Sequence, residues 1–135
     1  MIIEQPFALG QLSKDNPNFN GAVYLEELTH EPIRVTNVTF DTAVRNHWHI
    51  HHKGGQILLV TAGSGWYQAW GEPAQFLKTG DVVNIPAEQK HWHGAAKDSQ
   101  FVHVAISVPA VGASTEWLEA VTDEDFSKLE RESCG

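Results

Sequence analysis

The sequence is poor in cysteine, in basic residues and in long apolar runs, and each shortage excludes a class of protein. Cys134 is the only cysteine among the 135 residues, so an internal disulfide is impossible. Nine Lys and Arg residues stand against 17 Asp and Glu residues, which gives a formal net charge of -8. That balance argues against nucleic acids and anionic membranes as partners, because both attract clustered positive charge.

The apolar segments are also short. None approaches the roughly 20 residues that a membrane-spanning helix needs, and Glu4 lies where a signal peptide would carry positive charge. We therefore expect a cytoplasmic protein with no membrane partner. The length fits a single domain over residues 1–135, which can bury a core without disulfide support.

Short β-favouring segments separated by turn residues fill the central part of the chain, about residues 20–110. Many short strands at close spacing are typical of an all-β sandwich or barrel. We predict strands at 22–28, 33–40, 56–62, 65–70, 81–86 and 101–108, besides the histidine-rich segments, and a loop over residues 1–20. The tail at 114–131 instead carries helix formers, and Thr122 and Asp125 have the spacing of a helix N-cap. We predict short helical turns there, packed on the outside of the barrel.

Half of the eight histidines lie in one segment, HWHIHH at residues 47–52. Since alternate side chains of a β-strand share a face, His47, His49 and His51 would point in one direction. His47 begins the strand, so we expect it at the rim of the site. His52 has the opposite parity and is expected in solvent.

A second segment, KHWHGAA at residues 90–96, repeats this alternation with His91 and His93, and His103 lies in a third predicted strand. Neutral imidazole is the commonest protein ligand for divalent transition metals, and two histidines two residues apart on a strand can reach one ion. A ligand from another strand would complete the site and leave positions open for substrate. A single strand histidine is more often a hydrogen-bonded core residue, but two such pairs in one small domain favour a metal site.

The spacing around these histidines resembles the two motifs of the cupins. HIH at 49–51 with Gln56 and Gly63 resembles the first motif, and Gly80, Pro86 and His91 resemble the second. The resemblance implies an all-β double-stranded β-helix, or jelly-roll barrel. It also implies one divalent transition metal held by His49, His51, Gln56 and His91.

Four positions depart from the cupin pattern, among them Ala95, which stands where the second motif ends in asparagine. Gln56 stands where most cupins have glutamate, so a bound ion would keep its full charge, which favours polarising a substrate oxygen over activating molecular oxygen. Ala43 and Glu88 stand where the motifs have glycine, and we expect changed turn geometry there.

A closer resemblance covers nearly the whole chain, to the small manganese-dependent cupins with hydroxynitrile lyase activity. The segments that carry it include FNGAV at 19–23, QILLVTAGSGW at 56–66 and KHWHGAA at 90–96. It implies manganese, with iron, nickel or zinc as alternatives, and cleavage or formation of cyanohydrins from aldehydes and hydrogen cyanide. It further implies proton transfer by His103 and His93, and a substrate pocket shaped by Thr36 and Val38. His47, which strand parity places at the rim, is a further candidate for that pocket.

Two other functions remain open at this point. The same ligand set would suit a dioxygenase that acts on a small aromatic or diketone substrate, because a fold does not decide a function. A cupin that binds a small molecule without turning it over is the second alternative. We also expect a homodimer or homotetramer, since an open jelly roll has edge strands that another subunit commonly covers.

Overall fold

Turns divide residues 1–129, the part of the chain that the structure describes, into ten strands and one short helix. The structure is a computed structural model. The elements in chain order are β1 (Gln11–Ser13), β2 (Val23–Thr29), β3 (Val35–Phe40), β4 (His49–His52), β5 (Gly55–Ala69), β6 (Gln75–Lys78), β7 (Val82–Ile85), β8 (His91–Ala95), β9 (Phe101–Val108), β10 (Ser114–Trp117) and α1 (Asp123–Ser127). Within these residues, no helix has the length and apolar character that a bilayer crossing requires.

The strands pair antiparallel and curl into the jelly-roll barrel that the sequence predicts. One sheet has the order β1-β2-β3-β9-β5-β7, and the other has the order β6-β5-β8-β4-β10. The long strand β5 belongs to both, because its first half lies between β7 and β9 and its second half lies between β6 and β8.

The prediction of two separate strands over the range of β5 is therefore wrong. The chain bends without leaving the strand, at a bulge between Val60 and Ala62 and at Gly63, whose φ is 69°. A side chain at Gly63 would collide with the backbone of Gln100, the residue directly before β9. Glycine thus acts here as the corner at which β5 passes from one sheet to the other.

Two apolar clusters hold the sheets. The first draws on both sheets and includes Phe40, Leu58, Ile85 and Phe101, each fully buried. The second lies between the outer face of β8 and the C-terminal tail and contains Trp66, Trp92, Ala96, Val121 and Phe126. Trp92 alternates with His91 and His93 and is fully buried behind them, which follows from strand parity.

The tail departs from the prediction of a helical segment over 114–131. Ser114–Trp117 is the strand β10, paired with β4 in the register Thr115 opposite His51 and Trp117 opposite His49. Pairing satisfies backbone groups that the edge of β4 would otherwise leave free, which outweighs a weak helix propensity. The helix is limited to α1, where the Thr122 hydroxyl accepts from the Asp125 N–H at 3.1 Å as predicted.

The structure also differs from the sequence predictions at β1, at β6 and at two turns. β1 occupies part of the range predicted as a loop, and β6 was not predicted. Ala43 and Glu88 have φ values of 65° and 68°, so both turns keep the left-handed conformation that suits glycine, contrary to the expectation of changed geometry. Residues 130–131 of the predicted tail, and Cys134, lie outside the described residues.

Candidate metal centre and its cavity

Three histidines from two neighbouring strands form one cluster, which we call the histidine trio: His49, His51 and His91. His49 on β4 lies directly opposite His91 on β8, and their ring centroids are 4.2 Å apart. His51 follows two residues later on the same face of β4, with its ring 5.1 Å from that of His49 and 5.2 Å from that of His91. The predicted convergence of these side chains is therefore observed.

The hydrogen bonds of the trio fix which ring nitrogen is free. Nδ1 of His49 lies 2.8 Å from the carbonyl oxygen of His47, and Nδ1 of His91 lies 2.8 Å from that of Gln89. A carbonyl only accepts, so Nδ1 carries the proton in both rings and Nε2 keeps its lone pair. Nδ1 of His51 lies 3.2 Å from the Thr115 hydroxyl oxygen, which can accept in the same way.

The trio offers the kind of nitrogen that binds a metal ion. Nε2 of His51 and Nε2 of His91 are buried and have no hydrogen-bond partner among residues 1–129. Burial lowers the pKa of His49 to about 2, with His91 adding to the shift, and lowers the pKa of His91 to about 4. Burial also lowers the pKa of His51. All three rings are then neutral at pH 7, which is the form that binds a divalent transition metal.

Gln56 lies beside the trio on β5 and lines the same cavity as His51. Its side chain partly opposes the lowering of the His51 pKa. The structure thus brings together all four predicted metal ligands. The Gln56 amide oxygen is a metal ligand without charge. A set of three imidazoles and one amide would therefore leave the charge of a divalent ion uncompensated.

A second group, which we call the histidine pair, consists of His93 on β8 and His103 on β9. Both are almost fully buried, and their ring centroids are 5.0 Å apart. Phe40 packs against both rings, at 5.7 Å from His93 and 5.8 Å from His103. Burial lowers the pKa of His103 to about 3, and burial together with the neighbouring His103 holds the pKa of His93 well below its usual range.

His93 also lies close enough to join the metal site, because one ring nitrogen each of His49, His91 and His93 lie within 4.8 Å of one another. Its hydrogen bonds indicate a different role. The Asn46 side-chain oxygen accepts from the His93 backbone N–H at 2.9 Å, which turns the Asn46 amide nitrogen toward Nε2 of His93 at 3.2 Å. Nε2 therefore accepts, and the ring proton lies on Nδ1 as a hydrogen-bond donor. A ring nitrogen that carries a proton can donate a hydrogen bond to a substrate, but it has no lone pair to offer to a metal ion.

A cavity of about 300 Å³ adjoins both histidine groups. Its lining includes the predicted pocket residues Thr36 and Val38 and the site residues His49, His51, Gln56, His93 and His103. Leu25, Phe40 and Ala105 add apolar surface. His47 is not among the lining residues, contrary to its prediction as a pocket residue, because it precedes β4 and contributes its backbone carbonyl to His49 instead.

Three functional positions were missed from the sequence. Thr115 and Trp117 lie on β10, and the Trp117 ring lies 4.5 Å from the ring of His49 at 31°, partly covering it. Both were missed because the sequence predicts a helical segment over 114–131 and not a strand paired with β4. Asn46 is buried directly before the histidine-rich segment, and its role depends on the bridge to His93, a contact 47 residues away in the chain.

Comparison with known proteins gives three results. A family model described as an AraC-like ligand binding domain matches residues 32–133. The (R)-mandelonitrile lyase of Granulicella tundricola is 39% identical over 114 residues, covering 82% of this chain and 86% of the relative. A cupin-like protein from Thermotoga maritima has a TM-score of 0.87 and 40% identity, covering 96% of this chain and 100% of that one.

A more distant solved structure supports the fold alone. A predicted oxalate decarboxylase from Thermotoga maritima has a TM-score of 0.68 at 14% identity and covers 82% of this chain and 100% of that one. The cupin barrel is therefore retained at an identity too low to carry an activity.

Proposed function

This chain belongs to the cupins that have an AraC-like ligand binding domain, and from that premise we propose that it is a metal-dependent carbon–carbon lyase that cleaves or forms cyanohydrins. The observation that carries the proposal is the division of five buried or half-buried histidines into two groups, with four of the five lining one cavity. The trio offers free Nε2 atoms to an ion, and the pair offers proton donors and acceptors to a substrate. The sequence similarity to a mandelonitrile lyase supports the reaction class.

We propose that His49, His51, His91 and Gln56 hold one divalent transition metal, manganese first, with iron, nickel or zinc as alternatives. None of the described residues that line the cavity is Asp or Glu, so no carboxylate offsets the ion's charge there. Bound at this position, the ion would supply Lewis acidity toward a substrate oxygen. The protein contributes the orientation of each imidazole through its Nδ1 hydrogen bond.

His103 accepts the hydroxyl proton of the cyanohydrin in this proposal. Both of its ring nitrogens are buried without a partner among residues 1–129, and its lowered pKa keeps the ring neutral at pH 7. The bond between the hydroxyl carbon and the nitrile carbon then breaks, and its electron pair leaves on cyanide. Protonated His103 then passes the proton to cyanide, because burial lowers the pKa of this ring and favours its return to the neutral form. The products are the carbonyl compound and hydrogen cyanide.

His93 donates a hydrogen bond to the departing cyanide. Asn46 holds the ring proton on Nδ1, which has no partner among the described residues and belongs to a ring that lines the cavity. A fixed donor that faces developing negative charge stabilises the transition state more than the ground state. The two members of the pair thus take different parts, one as proton acceptor and one as hydrogen-bond donor.

A specific observation favours one alternative, a cupin that binds a small molecule without turnover. The matching family model is described by ligand binding and not by a reaction. This alternative predicts saturable binding to the cavity and no product release under any metal loading.

The experiment that tests the proposal is oxygen-free cleavage of racemic mandelonitrile. The protein is stripped of metal and reloaded separately with manganese, iron, nickel or zinc. We expect enantioselective benzaldehyde release above background from at least one reloaded form, with His49→Ala inactive. If every reloaded form retains its metal and none releases benzaldehyde, the lyase proposal is wrong and the binding function replaces it.

A further inference from the structure

One row of side chains crosses three strands of the cavity wall. Gln56 on β5 lies opposite Ser107 on β9, and the Ser107 N–H donates to the carbonyl oxygen of Arg34 at 3.0 Å, directly before β3. All three side chains line the cavity. Because neighbouring strands lie about 4.8 Å apart, the Arg34 backbone is roughly 10 Å from that of Gln56, which adjoins the trio.

This row lies at a solvent-exposed edge of the cavity. The neighbouring cross-strand pairs run inward through Thr36 and Ala105 to Val38 and His103. Exposure falls along this series, from 66% for the Arg34 side chain to 6% for Ala105 and 1% for His103. The Arg34 side chain therefore lies at a solvent-exposed edge of the cavity, and His103 lies at the inner end of the same wall.

The guanidinium of Arg34 is weakly engaged. Its one ion pair among the described residues joins Nε to a Glu27 carboxylate oxygen at 3.7 Å, and Glu27 also pairs with His30 at 3.2 Å. The lining contains no Asp or Glu among the described residues, although the chain has 17 of them. An acidic protein thus presents a cavity whose only formal charge is positive, before any metal is counted.

We propose that the cavity takes substrates that carry a carboxylate, bound by Arg34 and the Ser107 hydroxyl, at the end away from the reacting group. The guanidinium offers paired donors that match a carboxylate, and the serine hydroxyl supplies a further donor beside it. The inference rests on the proposed function for the reaction and adds the substrate class, an anionic cyanohydrin. A rigid aryl group would span the distance between the two ends across the apolar surface of Val38 and Ala105.

Binding is measured first, with probes that lack a leaving group. Isothermal titration of the manganese-loaded protein compares 4-(hydroxymethyl)benzoate with benzyl alcohol. We expect the carboxylate to bind about fivefold more tightly, a size set by the partial exposure of the guanidinium. The ratio of the two dissociation constants should fall toward one in Arg34→Gln, and added salt should also lower it. Glu27→Gln should enlarge it, because Glu27 competes for the same guanidinium.

Lys78→Gln is the matched control. It also removes one positive charge, at a side chain that is 73% exposed compared with 66% for Arg34, but Lys78 does not line the cavity. The preference for the carboxylate probe should survive in this variant. Circular dichroism and metal content establish that each variant is folded and loaded.

Turnover separates this inference from the lyase proposal. The cyanohydrins of 4-carboxybenzaldehyde and benzaldehyde are compared by kcat/KM under the same conditions. If neither is cleaved while the binding preference depends on Arg34, the lyase proposal fails and the carboxylate site stands. Equal binding of the two alcohols by the unmodified protein, or a preference that Arg34→Gln leaves intact, overturns the carboxylate site whatever the turnover.

Discussion

The histidine trio and the histidine pair use the same side chain in opposite ways. In the trio, His49 and His91 donate from Nδ1 to a carbonyl oxygen two residues earlier in the chain, so Nε2 is left as a lone pair. In the pair, Asn46 donates to Nε2 of His93 and leaves the proton on Nδ1. His49, His91, His93 and His103 are all buried, and burial lowers the pKa of each, so solvent exposure does not distinguish these members of the two groups.

The difference shows that the hydrogen-bond partner, and not the strand position, decides what a buried histidine can do. His91 and His93 share one strand and one face, and their rings are stacked with centroids 6.0 Å apart. One accepts at its free nitrogen and the other donates. Changing the hydrogen-bond partner should therefore turn a ring that accepts at its free nitrogen into one that donates, or the reverse. Removing a ring should abolish only the function of its own group, metal binding for the trio and proton transfer or donation for the pair.

Removing a ring of the trio should have the largest effect. We expect His91→Ala and His49→Ala to lower the affinity for manganese by more than about 100-fold, since loss of a direct ligand exceeds the cost of losing an outer partner. Turnover of mandelonitrile should disappear with the metal. Metal content after dialysis measures the effect, and thermal unfolding establishes that the variants fold.

His30→Ala is the control for this experiment, because His30 lies on the surface, with 73% of its side chain exposed, and does not line the cavity. It should keep its metal. Full metal retention by His49→Ala would contradict the assignment of the trio as the ligand set and would bring His93 forward as a ligand.

Removing a ring of the pair should separate chemistry from metal binding. We expect His103→Ala to retain its metal and to lose about 10²- to 10⁴-fold in kcat/KM for mandelonitrile, the range for a lost general acid–base group. Steady-state kinetics and metal analysis on the same preparation measure both quantities. Unchanged turnover would remove His103 from the mechanism, and lost metal would place it in the ligand set.

The barrel and the faces of its strands were predictable because they follow from alternation. His49 and His51 share one face, Trp92 lies behind His91, and short segments bounded by turns become paired strands. β10 was not predictable in the same way. Its four residues are all exposed and gain their conformation from the free edge of β4, a tertiary contact that a local propensity does not contain.

The site was predictable to the level of residue types and less so to the level of roles. Spacing and resemblance predicted His49, His51, Gln56 and His91 as one ligand set; the structure places them beside one another, and their role as ligands stays a prediction. The prediction also placed His47 in the pocket on strand parity alone, and the structure does not have His47 among the lining residues. Spacing and resemblance also missed Asn46 and Thr115, because each acts through a hydrogen bond to a ring that is distant in the chain.

Changing the partner of His93 should sharpen the comparison without removing a ring. In Asn46→Asp the carboxylate can only accept, so we expect the proton of His93 to move to Nε2 and the lone pair to Nδ1. Long-range proton–nitrogen NMR correlations of the zinc-loaded protein report the tautomer directly. We expect kcat/KM to fall about 10- to 100-fold, as for other partners that orient a functional histidine.

Asn37→Asp separates the tautomer effect from the cost of a buried carboxylate. Asn37 is fully buried but bonds Gln5 and the Ala8 carbonyl, away from the cavity lining. It should lower thermal stability and leave the His93 tautomer unchanged. A His93 proton that stays on Nδ1 in Asn46→Asp would show that Asn46 does not set it.

The weakest anchor of the trio should give the smallest effect. The hydrogen bond from His51 to Thr115 is 3.2 Å long and exposed, compared with 2.8 Å for the carbonyl bonds of His49 and His91. We expect Thr115→Val to weaken manganese binding by about 10-fold, the lower end for an orienting partner, and Thr115→Ser to restore it. Chelator competition measures the affinity. Equal affinities in the valine and serine variants would mean that strand pairing alone orients His51, so that this ring, unlike the other two, owes its place in the trio to the backbone of β10.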